Sequence, residues 1–313
     1  MVEEITVLDL QVHRIRHLAE MGNGAILVCN RLENVEAGSG RIALQMPGFH
    51  MPAIGQFHVG QLMRVSGKIC DWKNPRDGRT EKQIRVTHWF PIMPSRGNWA
   101  QLVANSPHFH GIGQAFANHA ADRLGDRLLD AVAEGDVAFL LACCPAFPPE
   151  MARSLGRLWA SWCRDTLAEW LSRFQLPTSA LPHLDAAYCG CDAALRRLNA
   201  DPYRLLAFGT SWRKSDSIAA KRFQVAKDDP RRLHGAVIHV LQKRYMAGDT
   251  VVAEPDLRKY VANLLHSDDA ASSALLLTFR NGGFVRFGDR QFQLRGVWAK
   301  DTLNARSAPP QPP

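Results

Sequence analysis

The chain has 313 residues, 46% of them hydrophobic and 22% charged, with a formal net charge of +8 and a pI near 9.3. That length calls for two or three domains rather than one core. The composition excludes a disordered chain, and no apolar run approaches the ~18 residues that cross a bilayer.

A positive balance points to a polyanionic partner, nucleic acid or an anionic membrane surface. Its placement is uneven. Between Arg196 and Arg244 stand twelve Lys or Arg against four Asp, an excess as large as that of the whole chain. Solvated helix faces are the alternative reading. The seven Cys form no C-x-x-C pair. Cys143-Cys144 and Cys189-Gly190-Cys191 are too cramped for a zinc knuckle. With no secretory segment at the N-terminus, reduced thiols in a cytoplasm are expected.

In chain order, residues 5 to 92 read as strands: Ile5–Leu8, Ala25–Val28 after an Asn23-Gly24 turn, Arg41–Leu44, Leu62–Ile69, and Gln83–Val86 after an Asp77-Gly78 turn. Five short strands in under 100 residues suit an OB-like barrel over residues 1–95, with an SH3-like barrel as the alternative. Helical periodicity follows over 96–250. Phe116, Ala120 and Leu124 lie four apart, and Leu128, Leu129 and Val132 continue an apolar face. Pro148-Pro149-Glu150 opens a long helix whose stripe holds Trp159, Trp162 and Trp170, read as core, and Pro177 stops it. Asp201-Pro202 and Asp229-Pro230 are helix starts, and Gly248 is a C-cap. A helix from Pro255, another over Ala271–Leu277, and strands at Phe284–Phe287 and Gln291–Leu294 around a Gly288-Asp289 turn predict a winged-helix-like module over 251–306. Residues 307–313 read as a Pro-rich disordered tail or the start of a linker.

The sharpest motif is Gly111-Ile112-Gly113 followed by a helix from Gln114. Two glycines let the backbone turn tightly and leave bare N–H groups at a helix start, where a phosphate oxygen fits. A helix-hairpin-helix unit holds DNA backbone in this way without reading bases; a plain helix-helix turn is the alternative. Gly209-Thr210-Ser211-Trp212-Arg213-Lys214 is a second, with Ser211 in place of the second glycine and Arg213 and Lys214 supplying direct charge. Lys221, Arg222, Arg231 and Arg232 extend the expected DNA-binding surface. No G-x-x-x-x-G-K-[ST], G-x-S-x-G or H-E-x-x-H occurs, so no catalysis, cofactor or metal is expected. His108, His110 and His119 would suit a metal site but lack a nearby completing carboxylate or thiol, and Asp71, Asp77 and Glu81 near Lys82, which resemble a nuclease carboxylate cluster, sit across an expected turn and read as a solvated loop.

Taken in order, these pieces resemble the N-terminal, non-motor region of RecD-like stand-alone DNA helicases. The residues that carry the resemblance are Asn23–Val28, Asp77–Val86, Gly111–Gly113, Asp201-Pro202-Tyr203-Arg204-Leu205, Asp216-Ser217-Ile218-Ala219, Asp229–Leu233 and Gly248-Asp249-Thr250. Ser211 and Asp249 depart from the pattern. The resemblance implies a barrel, tandem helix-hairpin-helix modules and a winged-helix-like segment ahead of an ATPase motor, whose lead-in Trp298–Leu303 resembles. The function expected is DNA binding without catalysis, through the backbone of single-stranded or junction DNA. The alternatives are an adaptor for a separate helicase, nuclease or relaxase, and a fragment of a complete ATP-dependent helicase.

Overall fold

A computed structural model describes residues 5–18, 24–32, 40–52, 56–73, 78, 80–145, 147–287 and 290–296. The expected turns at Asn23-Gly24, Asp77-Gly78 and Gly288-Asp289 fall wholly or partly outside these residues, as do Arg79, Trp298–Leu303 and Ser307–Pro313. Two units divide the chain, residues 1–199 and 200–313. No helix among the described residues is long and apolar enough to cross a membrane.

Strands β1 (Thr6–Leu18), β2 (Gly24–Arg31), β3 (Arg41–Pro47), β4 (Leu62–Lys73) and β5 (Thr80–Pro91) close into a barrel in the order β1-β2-β3-β5-β4. β1 pairs with β4 over Thr6–Gln11 and with β2 over Leu10–Leu18. Register shifts between Val12 and Arg14 and between Ile15 and His17 bend it enough to serve both neighbours. The parallel pairing of β3 with β5 completes the closure, giving the OB-like barrel. Leu10, Val12, Leu27, Leu44, Met63, Val65, Ile84 and Val86 fill it. Trp89 joins them, its indole N–H donating to the His50 carbonyl at 2.6 Å, so the buried ring leaves no polar edge unmet.

The helices of the first unit are α1 (Arg96–Asn105), α2 (Gln114–Leu124), α3 (Leu128–Glu134), α4 (Val137–Cys143), α5 (Pro149–Arg173), α6 (Leu181–Tyr188) and α7 (Cys191–Ala200). The 25 residues of α5 make a rod about 37 Å long. Trp159, Trp162 and Trp170 are all buried on it, as core rather than as a stacking surface. Its last turn seats the barrel. Trp170 and Phe174 meet the Phe90 ring at 6.4 and 5.1 Å, and the Arg173 guanidinium lies 4.5 Å over Trp89 while pairing with the buried Glu169 at 2.5 Å. The helix ends before Pro177: Gln175 turns left-handed at φ 53° and the Leu176 N–H returns to the Leu171 carbonyl.

The second unit opens with a 3-10 segment, Pro202–Phe208, followed by α8 (Trp212–Phe223) and α9 (Pro230–Met246). Both Asp-Pro pairs start these elements as expected. Asp229 accepts the Arg231 N–H at 2.8 Å and Asp201 the Tyr203 N–H at 3.0 Å, although Asp201 opens a 3-10 turn rather than an α-helix. Then come β6 (Val252–Ala253), α10 (Glu254–Leu265), α11 (Asp268–Arg280), β7 (Phe284–Phe287) and β8 (Gln291–Leu294). The three strands form one small sheet in the order β6-β8-β7. Leu233, Val237, Val240 and Leu241 of α9 share a single core with Leu257 and Val261 of α10 and Ala271 and Ala274 of α11.

Candidate nucleic-acid interface

Two tight turns present a helix start to solvent. In the first unit, α1 and α2 are joined by a hairpin whose apolar residue points inward: Ile112 is 4% exposed and Phe109 2%. The Ile112 N–H bonds the Phe109 carbonyl at 3.3 Å, closing the bend. Gly111, Gly113 and Gln114 are exposed. Gly111 sits at φ +85°, a left-handed conformation that costs an L side chain about 1–2 kcal/mol. Gly113 is the N-cap of α2, with extended backbone and no side-chain hydrogen bond at the cap, and a Cβ there would meet nothing within 4 Å. The first-turn amides of α2 therefore stand under open space, and the helix dipole adds partial positive charge. Gln114 reaches away along the helix to Asn118, donating at 2.9 Å.

In the second unit the same backbone pattern recurs. Gly209 is left-handed at φ +80° and Ser211 is an extended N-cap of α8. Ser211 has φ −65°, so this position does not need glycine for its backbone. Its hydroxyl occupies the cap and accepts the Lys214 N–H at 3.4 Å. Arg213 is exposed and Lys214 half-buried, both in the first turn of the helix.

A brace of side chains fixes this second turn. The Tyr203 hydroxyl donates to Asp216 Oδ1 at 2.6 Å. Arg232 donates to both Asp216 oxygens at 2.9 and 3.2 Å and to the Lys227 carbonyl at 3.1 Å. Trp212 stacks on Tyr203 at 5.4 Å and meets the Arg232 guanidinium at 5.8 Å. Gly235 of α9 makes room: a Cβ there would lie 2.9 Å from the Tyr203 ring. Burial, then the bond to Asp216, pushes the Tyr203 hydroxyl well above the usual phenol range, so it stays a donor. Sequence reading found the Asp201–Leu205 and Asp216–Ala219 runs but not this joint role, because residues 203, 216 and 232 meet only after folding.

The predicted cations divide accordingly. Arg231 is bound to Asp229 at 2.7 Å and to the Ala200 carbonyl at 2.9 Å, and that guanidinium holds the Asp229 carboxyl below its usual range. Arg232 belongs to the brace. Lys221 is exposed and Arg222 half-buried in the last turn of α8, where they also complement the negative end of the helix dipole; burial lowers the Arg222 guanidinium from its usual range. Arg213 and Lys214 stand beside the helix start of α8, whereas Arg231 and Arg232, in the first turn of α9, are held by aspartates.

A third turn, missed in the sequence, joins α6 to α7. Cys189 is left-handed at φ 56° and Gly190 lies at φ 142°. It bears carboxylates: Cys191 donates to Asp185 at 3.1 Å and Arg196 is tied to Asp192 at 2.6 Å. Burial, then the bond to Asp185, pushes the Cys191 thiol up to about 12, so it is not a thiolate. Negative charge at this helix start disfavours phosphate.

Among the described residues no group of three His, Cys, Asp or Glu is arranged to hold a metal. His108 lies 3.8 Å from Asp165. Asp71 and Glu81 stand on β4 and β5 rather than on a solvated loop, and Glu81 makes a two-pronged pair with Arg16 at 2.7 and 3.0 Å. Asp77 lies outside the described residues.

Residues 164–251 match the family model described as the ATP-dependent RecD2 DNA helicase HHH domain. That segment is similar to the helix-hairpin-helix region of RecD2 helicases, in keeping with the resemblance read from the sequence. It contains the Gly209–Ser211 turn and its whole brace; the barrel and the Gly111–Gly113 turn precede it. No curated protein matches the chain.

Proposed function

We propose that the chain is a DNA-binding accessory module that grips the sugar-phosphate backbone at two helix starts, Gly209–Lys214 and Gly111–Gln114, and that within these 313 residues it acts by holding DNA rather than by hydrolysing nucleotide. The observation that carries the reading is the RecD2 helix-hairpin-helix match over a turn with Gly209 left-handed and Arg213 exposed beside a helix start. Amide groups and the helix dipole favour a phosphate oxygen there, and a guanidinium strengthens the contact. Such contacts position a protein on DNA without reading sequence. The barrel is the surface we assign to single strands, a common use of OB-type barrels. Arg231 and Arg232 support the turn from inside; Lys221 and Arg222 extend the basic surface at the far end of α8.

Binding to single-stranded, duplex and forked DNA across 50–200 mM salt tests this. For duplex, log K should fall linearly with log salt, and Arg213→Ala with Lys214→Ala should reduce the slope by about 0.9 for each phosphate contact removed. Affinity that stays flat with salt would sink the reading. A second reading, an adaptor for a separate helicase, nuclease or relaxase, draws on Leu276 and Phe279, each 53% exposed on α11. It gains if no DNA form binds while a purified partner helicase is held and is released by Phe279→Ser.

A further inference from the structure

Helix α9, strand β6, helices α10 and α11 and the β7–β8 hairpin form one small module with β8 between the other strands. In that order of elements α11 occupies the place of the helix that DNA-binding modules of helix-turn-helix type lay in the major groove. Its solvent face does not fit the task. Asp268 and Asp269 open the helix, then Ser272, Ser273, Leu276 and Phe279 follow, all exposed, and Arg280 is its single cation. A duplex surface would repel the first turn and desolvate the apolar pair for no gain.

The opposite charge pattern lies around the corner. One face of α10, the start of α11 and Arg290 line a groove of about 660 Å³. Arg258 and Lys259 of α10 both line it. Arg290 borders it because its carbonyl accepts the Glu254 N–H at 2.8 Å, which clamps the start of β8 to the start of α10. Asn263 adds a neutral donor. Elsewhere in the unit, Arg204, Arg231, Arg232 and Arg244 are each paired with an aspartate. Among the described residues Arg258, Lys259 and Arg290 have no such partner. Glu254 and Asp268 also line the groove, so three cations face two carboxylates and the local balance is positive.

We propose that this groove, rather than the α11 face, is where the C-terminal module holds nucleic-acid phosphate. The inference rests on the DNA-binding reading above. Three cations with no carboxylate partner among the described residues, along one open groove, match a run of backbone phosphates, which need charge and no base-specific contact.

Full-length protein with fluorescently labelled duplex and single-stranded DNA, followed by anisotropy over 50–200 mM salt, tests it. The pair Arg258→Ala/Lys259→Ala should lower the duplex salt slope by about two, so that the affinity lost across that range shrinks about tenfold. Arg290→Ala should lower the slope by about one, Arg258→Lys should retain it, and Arg280→Ala on α11 should leave it unchanged. An unchanged slope in the groove variants, or a loss confined to Arg280→Ala, overturns the proposal. If Arg213→Ala/Lys214→Ala weakens binding while the groove pair is silent, the groove alone is refuted and the hairpin stands. Wild-type protein that binds no DNA refutes both. Polyglutamate displacing DNA at matched charge would assign the groove to an acidic polypeptide and overturn the nucleic-acid assignment.

Discussion

The turns at Gly111–Gly113 and Gly209–Ser211 share a backbone and differ in nearly everything attached to it. Each begins with a glycine at φ +85° or +80° and ends on an extended N-cap. The first leaves its cap bare and has no Lys or Arg in its turn. The second fills its cap with a serine hydroxyl, carries Arg213 and Lys214, and is locked by Tyr203, Asp216 and Arg232. The two-glycine motif is therefore a poor gauge of how strongly a turn holds an anion. It reports backbone shape, whereas charge and rigidity come from residues outside it.

The largest expected effect breaks the brace. Asp216→Ala leaves Arg232, whose side chain is 13% exposed, without its carboxylate, and should cost about 2–3 kcal/mol in urea unfolding of the full chain. A loss below about 0.5 kcal/mol would mean that the second turn stands without its lock. Next come the left-handed glycines. Gly111→Ala and Gly209→Ala should each cost about 1–2 kcal/mol, despite open space at both positions. Gly113→Ala should be nearly neutral in stability, which makes it the cleaner probe of phosphate approach; if it melts the protein as Gly111→Ala does, the bare cap is not as open as the geometry implies.

Smaller still is Ser211→Gly, which converts the second turn to the first type. Stability should fall by only a few tenths of a kcal/mol, and duplex affinity should hold or rise, because phosphate then replaces the hydroxyl at the amides. A loss of affinity would show that the serine itself contacts DNA.

The last effect is in pH. Burial lowers His234 and His239 below the ordinary imidazole range, and His239 lies 5.9 Å from the Trp212 ring of the brace. A depressed imidazole favours the neutral form in the folded state. The stability it supports is present above about pH 6.5 and is lost as pH falls through that value toward the folded pKa. His58 of the first unit shifts the same way, so total melting curves mix the two units. His239→Gln should flatten part of the decline between pH 7 and 5; an identical curve would remove His239 from the account.

Much of the architecture was legible. Short apolar runs between turn signals marked the barrel strands, the Trp stripe marked α5 as core, and the Asp-Pro pairs marked two element starts. Pro177 marked the end of α5, which closes just ahead of it through the turn at Gln175 and Leu176. What the sequence left undistinguished has physical causes. Asp201-Pro202 carries the same start signal as Asp229-Pro230, yet local capping chemistry does not distinguish a 3-10 turn from an α-helix. The ion pairs of Arg231 and Arg232 were hidden as well, because a cation in a sequence shows its charge and not its partner.

By itself, the sequence determined what local chemistry and periodicity can encode: the barrel, the helices, the two turns at Gly111–Gly113 and Gly209–Ser211 and the excess of positive charge. Tertiary structure alone decided which charges were available. Asp216 meets Arg232 from sixteen residues away, while Arg290 joins Arg258 and Lys259 from more than thirty. Whether a cation is neutralised within the fold or left facing an open groove depends on distances of a few ångströms between residues remote in the chain, and no one-dimensional pattern contains those distances.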